Sequence, residues 1–338
     1  MNNIYDFTFE KLKDFFVQNS ENSAKSKILY KLIYKDRINN FDDICEFGDK
    51  VKEMLKNNFE IKSLKLVSST NSADTSKFLF ELDDGHKIES VLMKHDYGNG
   101  ICISSQIGCN MDCAFCESGK LKKIRNLTAG EMVKQILAVE KISGEKISHI
   151  VIMGIGEPFD NYENVVDFTD IVTEQNGLGF GAKHITISTC GIVPKIKEYA
   201  NRNVVCNLAI SLHAPNDELR CKIMPINKKY KISELISAVK EYTDKNNKKA
   251  TFAYIMLKGI NDDEKCANEL CRLIEGINCY VNLIPYNKTS SSDFEKSEKE
   301  AIARFYDILK QNNVNVTVRR EFGSELKAAC GQLAAEVK

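Results

Sequence analysis

The stretch "CISSQIGCNMDCAFCESG", residues 102–119, gathers Cys102, Cys109, Cys113 and Cys116 into one short segment. In a reducing compartment, thiols this close bind metal or do redox chemistry rather than staple a fold. The last three follow C-x3-C-x2-C. A structural zinc site takes four ligands, usually as two separated pairs. Here there is no second pair, and zinc would have to recruit Cys102 or a distant histidine. Iron–sulfur clusters also use cysteine thiolates, usually four. Three thiolates on a four-iron cluster would leave one iron open to bind and reduce a ligand. Seven further cysteines, at 45, 190, 206, 221, 266, 271 and 279, read as buried small apolar residues or bystanders.

The elements that must position these thiols fall into two parts. The chain has 338 residues, 43% hydrophobic and 28% charged, which is enough for one large domain and a smaller one. No run approaches the roughly 18 apolar residues of a membrane helix. The start, "MNNIYDFTFEKLKDFF", lacks a basic stretch followed by an apolar one. A cytoplasmic protein with no membrane partner is expected. The formal net charge is zero, which neither supports nor excludes nucleic acid.

Residues 1–88 read as an accessory domain. "FTFEKLKDFFVQ", "AKSKILYKLIYKD" and "DKVKEMLKNNF" carry helical spacing, and "SLKLVSST" and "KFLFELDDGHKIESVLMK" alternate like hairpin strands. Residues 89–338 alternate short β runs with amphipathic segments. The runs are "GICISSQI", "SHIVIMG", "KHITIST", "VVCNLAISLH", "KATFAYIML" and "CYVNLIPYN", with "NVTVRREF" as a last strand. Six β-then-α units predict an α/β fold, a partial (β/α)6 barrel, with a doubly wound sheet as the other closure. In either, ligands gather at the C-terminal strand ends. "MGIGEP", "STCG", "SLHAP" and "PYN" stand at those ends.

The cysteine spacing resembles that of the radical S-adenosylmethionine superfamily. "NLTAGEM", "MGIGEPFDN", "ITISTCGIVPKI", "AISLHAPND", "MPIN", "VNLIPYN" and "RREFGSELKAACGQL", in that order, resemble the RlmN/Cfr family of radical methyltransferases over about residues 90–335. The resemblance implies methylation of an adenine ring carbon in RNA. Adenine carbons 2 and 8 are electrophilic and cannot attack a methyl sulfonium, so polar transfer fails and a radical is needed. It implies one 4Fe–4S cluster on Cys109, Cys113 and Cys116, and two S-adenosylmethionine molecules per turnover. One methylates Cys330; the other is cleaved to a radical that takes hydrogen from that methyl group, and the carbon radical adds to adenine. Cys102 would resolve the adduct by a transient disulfide with Cys330, and Glu89 matches the proton acceptor. The resemblance also places Gly156, Glu157, Ser188, Ser211, Leu212, His213 and Asn287 around S-adenosylmethionine.

The implied partners are RNA, as 23S rRNA or tRNA, and a reductant protein such as flavodoxin or ferredoxin. "KLKKIR" (120–125), "NKKYK" (227–231) and Arg319–Arg320 could meet phosphates. Ala253 and "RREFG" lean toward Cfr, where carbon 8 is methylated, whereas "GEPFDN" and "STCGIVPKI" lean toward RlmN. Carbon 2 of an adenosine in 23S rRNA is the expected target. A radical enzyme acting on a non-RNA substrate is the rival reading, and it has no need of Cys330 or Cys102.

Overall fold

The computed structural model describes residues 1–202, 205–289, 292–319, 326, 328–329 and 331–333. The chain opens with α1 (Phe9–Gln18), α2 (Lys25–Tyr34) and α3 (Asp49–Asn58), where the helical spacing predicts them. Two short strands, β1 (Asn2–Asn3) and β2 (Phe59–Glu60), pair in parallel and close this module. Leu12, Phe16, Leu29, Ile33, Val51 and Leu55 are the buried stripes of the three helices.

A ten-stranded sheet forms the rest of the frame. Its antiparallel flank is β3 (Lys65–Asn71), β4 (Thr75–Glu81) and β5 (Lys87–Met93). Strand β6 (Asn99–Ile103) pairs antiparallel with β5 and parallel with its other neighbour. The cysteine loop hangs from a small hairpin, β7 (Gln106–Ile107) with β8 (Arg125–Asn126). Then α4 (Ala129–Ser143), β9 (Ile147–Ile152), α5 (Tyr162–Thr173), β10 (Ile185–Thr189), α6 (Val193–Tyr199) and β11 (Asn207–Ser211) follow. After α7 (Asp217–Ile223) and α8 (Ile232–Asn246) come β12 (Ala250–Met256), α9 (Glu264–Leu273), β13 (Cys279–Pro285), α10 (Lys299–Gln311) and β14 (Val316–Val318).

Strand order decides between the two closures. It runs β14-β13-β12-β11-β10-β9-β6-β5-β4-β3. From β6 to β14 the parallel strands follow one another without reversal. Right-handed crossovers then put the helices on one side. A doubly wound sheet needs a reversal of order, and there is none. The fold is the expected partial barrel, open between β14 and β3. The six expected runs are β6 and β9 to β13. The seven-residue helices α6 and α7 were not expected, being too short to show a period.

The expected division after residue 88 passes through β5, so the hairpin strands are continuous with the barrel sheet. The helical module is likewise tied to α4. Asp6 Oδ1 accepts from Gly130 N at 2.7 Å, in the first turn of α4. A Cβ on Gly130 would stand 2.8 Å from the Tyr5 carbonyl carbon, so only glycine allows this approach. The helix starts at "NLTAGEM" because Thr128 and Glu131 form a capping box, with bonds of 3.1 and 2.9 Å.

Gln135, fully buried on α4, locks the helix to the sheet. Its Oε1 accepts from Ser90 Oγ (2.8 Å) and Ser104 N (2.9 Å), and its Nε2 donates to Ser104 O (3.0 Å). Gln135→Leu strands these groups without water. It should lower the unfolding free energy in urea by about 3 kcal/mol; a loss below about 1 kcal/mol would refute the lock.

Candidate active site

The three spaced cysteines lie on the loop between β7 and β8. Gly108, with φ 74°, turns the chain into it; a Cβ there would meet the Lys122 carbonyl oxygen at 2.2 Å. Cys109 N donates to Leu121 O at 2.8 Å, and Lys123 N to Asn110 Oδ1 at 3.0 Å, which folds the loop back on itself. Cys109, Cys113 and Cys116 all line one cavity of about 1090 Å³, open mouth included. Burial pushes the Cys109 thiol up to about 12 and Cys113 well above its ordinary value.

The "GIGEP" turn after β9 forms the next wall. Gly156 has φ 109°, and a Cβ on it would stand 2.6 Å from the Gln106 side chain. Gln106 joins this turn to the hairpin: its Oε1 accepts from Glu157 N at 2.8 Å, and its Nε2 donates to Asn126 Oδ1 and Asp160 Oδ2 at 2.8 and 2.9 Å. Glu157 is buried and lines the cavity. Its Oε1 accepts from Phe159 N (2.9 Å) and Thr189 Oγ1 (2.6 Å), and its Oε2 from Cys190 N (2.7 Å). Burial raises its carboxyl pKa despite these donors. The Cys190 thiol is a further donor to this carboxylate.

Ser188 on β10 and Ser211 on β11 line the same cavity, as does His213 just beyond. His213 takes a left-handed φ of 59°. Its Nδ1 accepts from Ile255 N at 3.0 Å, which assigns the neutral tautomer with hydrogen on Nε2. Burial, with a smaller push from Arg220, lowers its pKa to about 3. Asn261 Nδ2 holds the His213 carbonyl at 2.8 Å, and the ring packs edge-on to Phe115, centroids 4.8 Å apart.

Arg220, fully buried on α7, binds the ends of β10 and β11 together. It donates to the carbonyls of Cys190 (2.6 Å), Ser211 (3.0 Å) and Leu212 (3.1 Å), and to Asn227 Oδ1 (3.0 Å). These partners are carbonyls and an amide, and Asp217 is the carboxylate whose charge acts on it. It offsets part of the burial effect on Cys113 and Cys190.

Cys102 and Glu89 occupy the flank. Val91 on β5 faces Cys102 on β6 in register, and Glu89 is two residues along β5, on the same face. Glu89 is buried; its Oε1 pairs with Lys77 Nζ at 3.0 Å, and its Oε2 has no hydrogen-bond partner. Ala328 and Leu333 pack with Val91, Met93, Ile155 and Cys102 on this face. Gly331 and Leu333 also line the cysteine cavity. Their carbonyls accept from Glu117 N (2.8 Å) and Ser118 Oγ (2.6 Å) on the cysteine loop. The segment around residue 330 thus spans both places; Cys330 itself lies outside the described residues.

Other expectations meet mixed outcomes. The Leu212 side chain is buried in the main core and does not line the cavity; only its backbone stands near. Asn287 lies just past β13 and is also outside the lining. Of the "KLKKIR" run, Lys123 pairs with Asp160 (2.7 Å), and Arg125 with Asp84 (2.6 Å) and Glu131 (2.7 Å). Only its remaining lysines extend a charge to solvent. Arg320 lies outside the described residues. The other seven cysteines are free, but Cys190 lines the cavity. Gln106, Thr189, Arg220 and Asn261 were not foreseen. Their common signal is a polar side chain inside or just after a motif, at a place where the chain must turn.

Among the described residues no three acidic, histidine or cysteine side chains converge on a single ion. A four-iron cluster asks for something else, since each thiolate binds its own iron and the sulfurs must ring a volume. Three soft thiols around one cavity, with a glycine turn opposite, fit that group and S-adenosylmethionine beside it.

A family model described as the radical SAM superfamily matches residues 103–269, and one described as the ribosomal RNA large subunit methyltransferase N-terminal domain matches residues 2–61. The chain is 46% identical over 334 residues to a probable dual-specificity RNA methyltransferase RlmN of Acholeplasma laidlawii, covering 98% of this chain and 99% of that one. A protein of the same name from Staphylococcus carnosus is 45% identical over 339 residues, covering 98% and 93%. A crystal structure of a radical SAM methyltransferase from Sphaerobacter thermophilus superposes with a TM-score of 0.92 at 37% identity, covering 99% of this chain and 100% of that one.

The His213 environment gives a pH test. Its folded pKa, about 3, lies below the ordinary 6.5. Below pH 6.5 the unfolded chain takes up a proton that the folded chain refuses, so stability from this group falls as pH drops from 6.5 toward 3 and is complete above. The stability advantage of wild type over His213→Gln should therefore shrink between pH 6 and 4, by up to about 1.4 kcal/mol per pH unit. Parallel pH profiles in urea titrations would show that the ring is not held neutral.

Proposed function

This chain belongs to the RlmN family of radical S-adenosylmethionine RNA methyltransferases, and from that premise we propose how its residues divide the work. Its activity is of the RlmN type, dual-specificity methylation of adenine in 23S ribosomal and transfer RNA. The carbon is carbon 2, and the methyl group passes through Cys330. The observation that carries this reading is the C-terminal segment, which packs on the cysteine loop at one end and on the face of Cys102 and Glu89 at the other.

Cys109, Cys113 and Cys116 would hold one 4Fe–4S cluster, and the raised pKa values of Cys109 and Cys113 mean that binding it displaces protons. The cluster and S-adenosylmethionine, when bound, supply the methyl group and the hydrogen-abstracting radical, two molecules of the sulfonium per turnover. The Glu157 carboxylate on the cavity wall suits the amino group of the methionine portion. The Nε2–H of neutral His213 is a fixed donor into the cavity, and Ser188 and Ser211 add hydroxyls. Leu212 would act through its backbone, and Asn287 from outside the wall.

Cys330 carries the methyl group and forms the carbon–carbon bond to adenine. Glu89 takes the proton from the radical adduct, whose unpaired electron would leave to the one-electron acceptor that the oxidised cluster supplies; the unpartnered Oε2 of Glu89 is a buried acceptor in want of a proton. Cys102 then attacks the Cys330 sulfur. The S–S bond forms, the S–C bond breaks, and its electron pair stays with the carbon, which is protonated to methyl. A thiol reductant restores the pair, and a flavodoxin or ferredoxin class protein supplies the electron for radical formation.

Nucleoside mass spectrometry of rRNA and tRNA from cells with and without the protein tests the product. Loss of 2-methyladenosine with the gene is expected; 8-methyladenosine would move the carbon, and no change would remove RNA as substrate. Cys330→Ala should abolish methylation, and Cys102→Ala should accumulate a covalent protein–RNA adduct. Full-rate methylation by Cys330→Ala would sink the thiol route.

A further inference from the structure

The cysteine cavity does not end inside the barrel. It shares Met153, Ala209, Thr251, Asn282 and Arg319 with a second cavity of about 1530 Å³, open mouth included. The two make one passage. The second cavity opens at the N-terminal ends of the parallel strands, where Thr186, Thr251 and Tyr280 are the second residues of β10, β12 and β13. Its wall also includes Met93 and Val151. Val151 is the register partner of Cys102, and Met93 is two residues from its partner on the other side. A register partner of Cys102 and a residue of the same β5 face thus stand on the wall of this mouth.

The rim of this mouth is aromatic. His95 and Tyr97 stack with centroids 4.8 Å apart and planes within 10°. Tyr97 meets His149 edge-on at 5.5 Å, and His149 meets His184 at 4.8 Å. Tyr97 is 71% exposed, a large ring left in solvent where burial would stabilise the fold. Burial, then His184, lowers the His149 pKa, so that ring stays neutral. Lys183 and Arg319 line the mouth, and neither pairs with a carboxylate among the described residues; Asp96 is the acid of the rim. At the opposite mouth Lys123 and Arg125 are taken up by Asp160, Asp84 and Glu131, which leaves Lys120 and Lys122 as its exposed cations.

We propose that RNA enters by the N-terminal mouth of the barrel, and that the His95–Tyr97 stack is a platform for the nucleobase next to the adenine being methylated. An adenine drawn out of its stack leaves a neighbour without one of its faces covered. An exposed ring, already backed by a second ring, replaces that face. Flat aromatic rings interleaved with uncompensated cations are the surface on which unpaired bases and their phosphates bind. Lys183 and Arg319 take the flanking phosphates. This rests on RNA being the substrate.

The test uses the purified full-length protein and a target RNA hairpin with 2-aminopurine beside the methylated adenine. Anisotropy reads affinity, and quenching of the 2-aminopurine reads stacking; neither needs turnover. Tyr97→Ala should weaken binding roughly tenfold and abolish quenching, with Tyr97→Trp restoring both. Lys183→Ala and Arg319→Ala should each weaken binding and flatten the salt dependence by about one phosphate contact. If Tyr97→Ala binds and quenches like wild type while wild type binds the hairpin well, the platform is wrong and the substrate reading stands. If wild type binds no RNA under any salt condition, the substrate reading falls and the platform with it.

Discussion

The structure depends on one alternation along its parallel strands. At mid-strand the concave face is lined by small or polar residues, Ala209 and Ser211 on β11, Thr251 and Ala253 on β12, Ser188 on β10, with Ile152, Ile255 and Ile284 joining the lining near the strand ends. The residues between them are large, apolar and fully buried: Leu208 and Ile210, Phe252 and Tyr254, Ile185 and Ile187. A period of two puts these sets on opposite faces. The outer face packs the helices, and each large side chain buried there contributes about 1.5–3 kcal/mol. The inner face cannot fill the barrel, so the barrel stays hollow. A packed barrel would have been more stable and would have had no place for a cluster, a sulfonium cofactor or a base.

A hollow interior leaves the loops at its mouth without a core to rest on, and buried polar side chains hold them instead. Gln106 fastens the cysteine hairpin to the glycine turn. Glu157 fastens that turn to the end of β10 through Thr189 and Cys190. Arg220 fastens β10 to β11, and Asn261 fixes the carbonyl of His213. Each residue satisfies several backbone groups that would otherwise be buried unpaired, so the ring of loops is rigid because no member can move without stranding its neighbour. The charge balance follows the same economy. Arg220 is the buried cation beside three thiols and a carboxylate, and anionic occupants of the cavity are what its charge offsets.

What could be read in the sequence follows from range. The cysteine spacing, the helical spacing of the N-terminal module and the period-two runs are local patterns, and each appears where expected. The hairpin after Leu64 also has a local pattern. That it extends the barrel sheet is a long-range pairing of β5 with β6, which no local pattern announces. Gln106 and Arg220 were missed for the same reason: a glutamine or arginine takes its meaning from partners, and theirs lie on other loops. Leu212 was assigned to the cofactor by its neighbours in "SLHAP". The alternation that sends Ser211 inward sends Leu212 to the core. The split between RlmN-like and Cfr-like motifs was resolved by whole-chain similarity, since Ala253 is a small inward residue of the kind the hollow face requires anyway.

The passage through the barrel also bears on the order of events. A cofactor bound against Glu157 and His213 closes the cysteine side, and the segment carrying Gly331 and Leu333 lies over the same loop. A nucleic acid approaching from that side would have to displace the segment that bears the reactive thiol. From the N-terminal mouth it meets β5, β6 and β9 first, the strands of Glu89, Cys102 and Val151, with the C-terminal segment packed behind them. On the route proposed above, cofactor and nucleic acid would approach Cys330 from opposite ends, and neither would have to leave for the other to arrive.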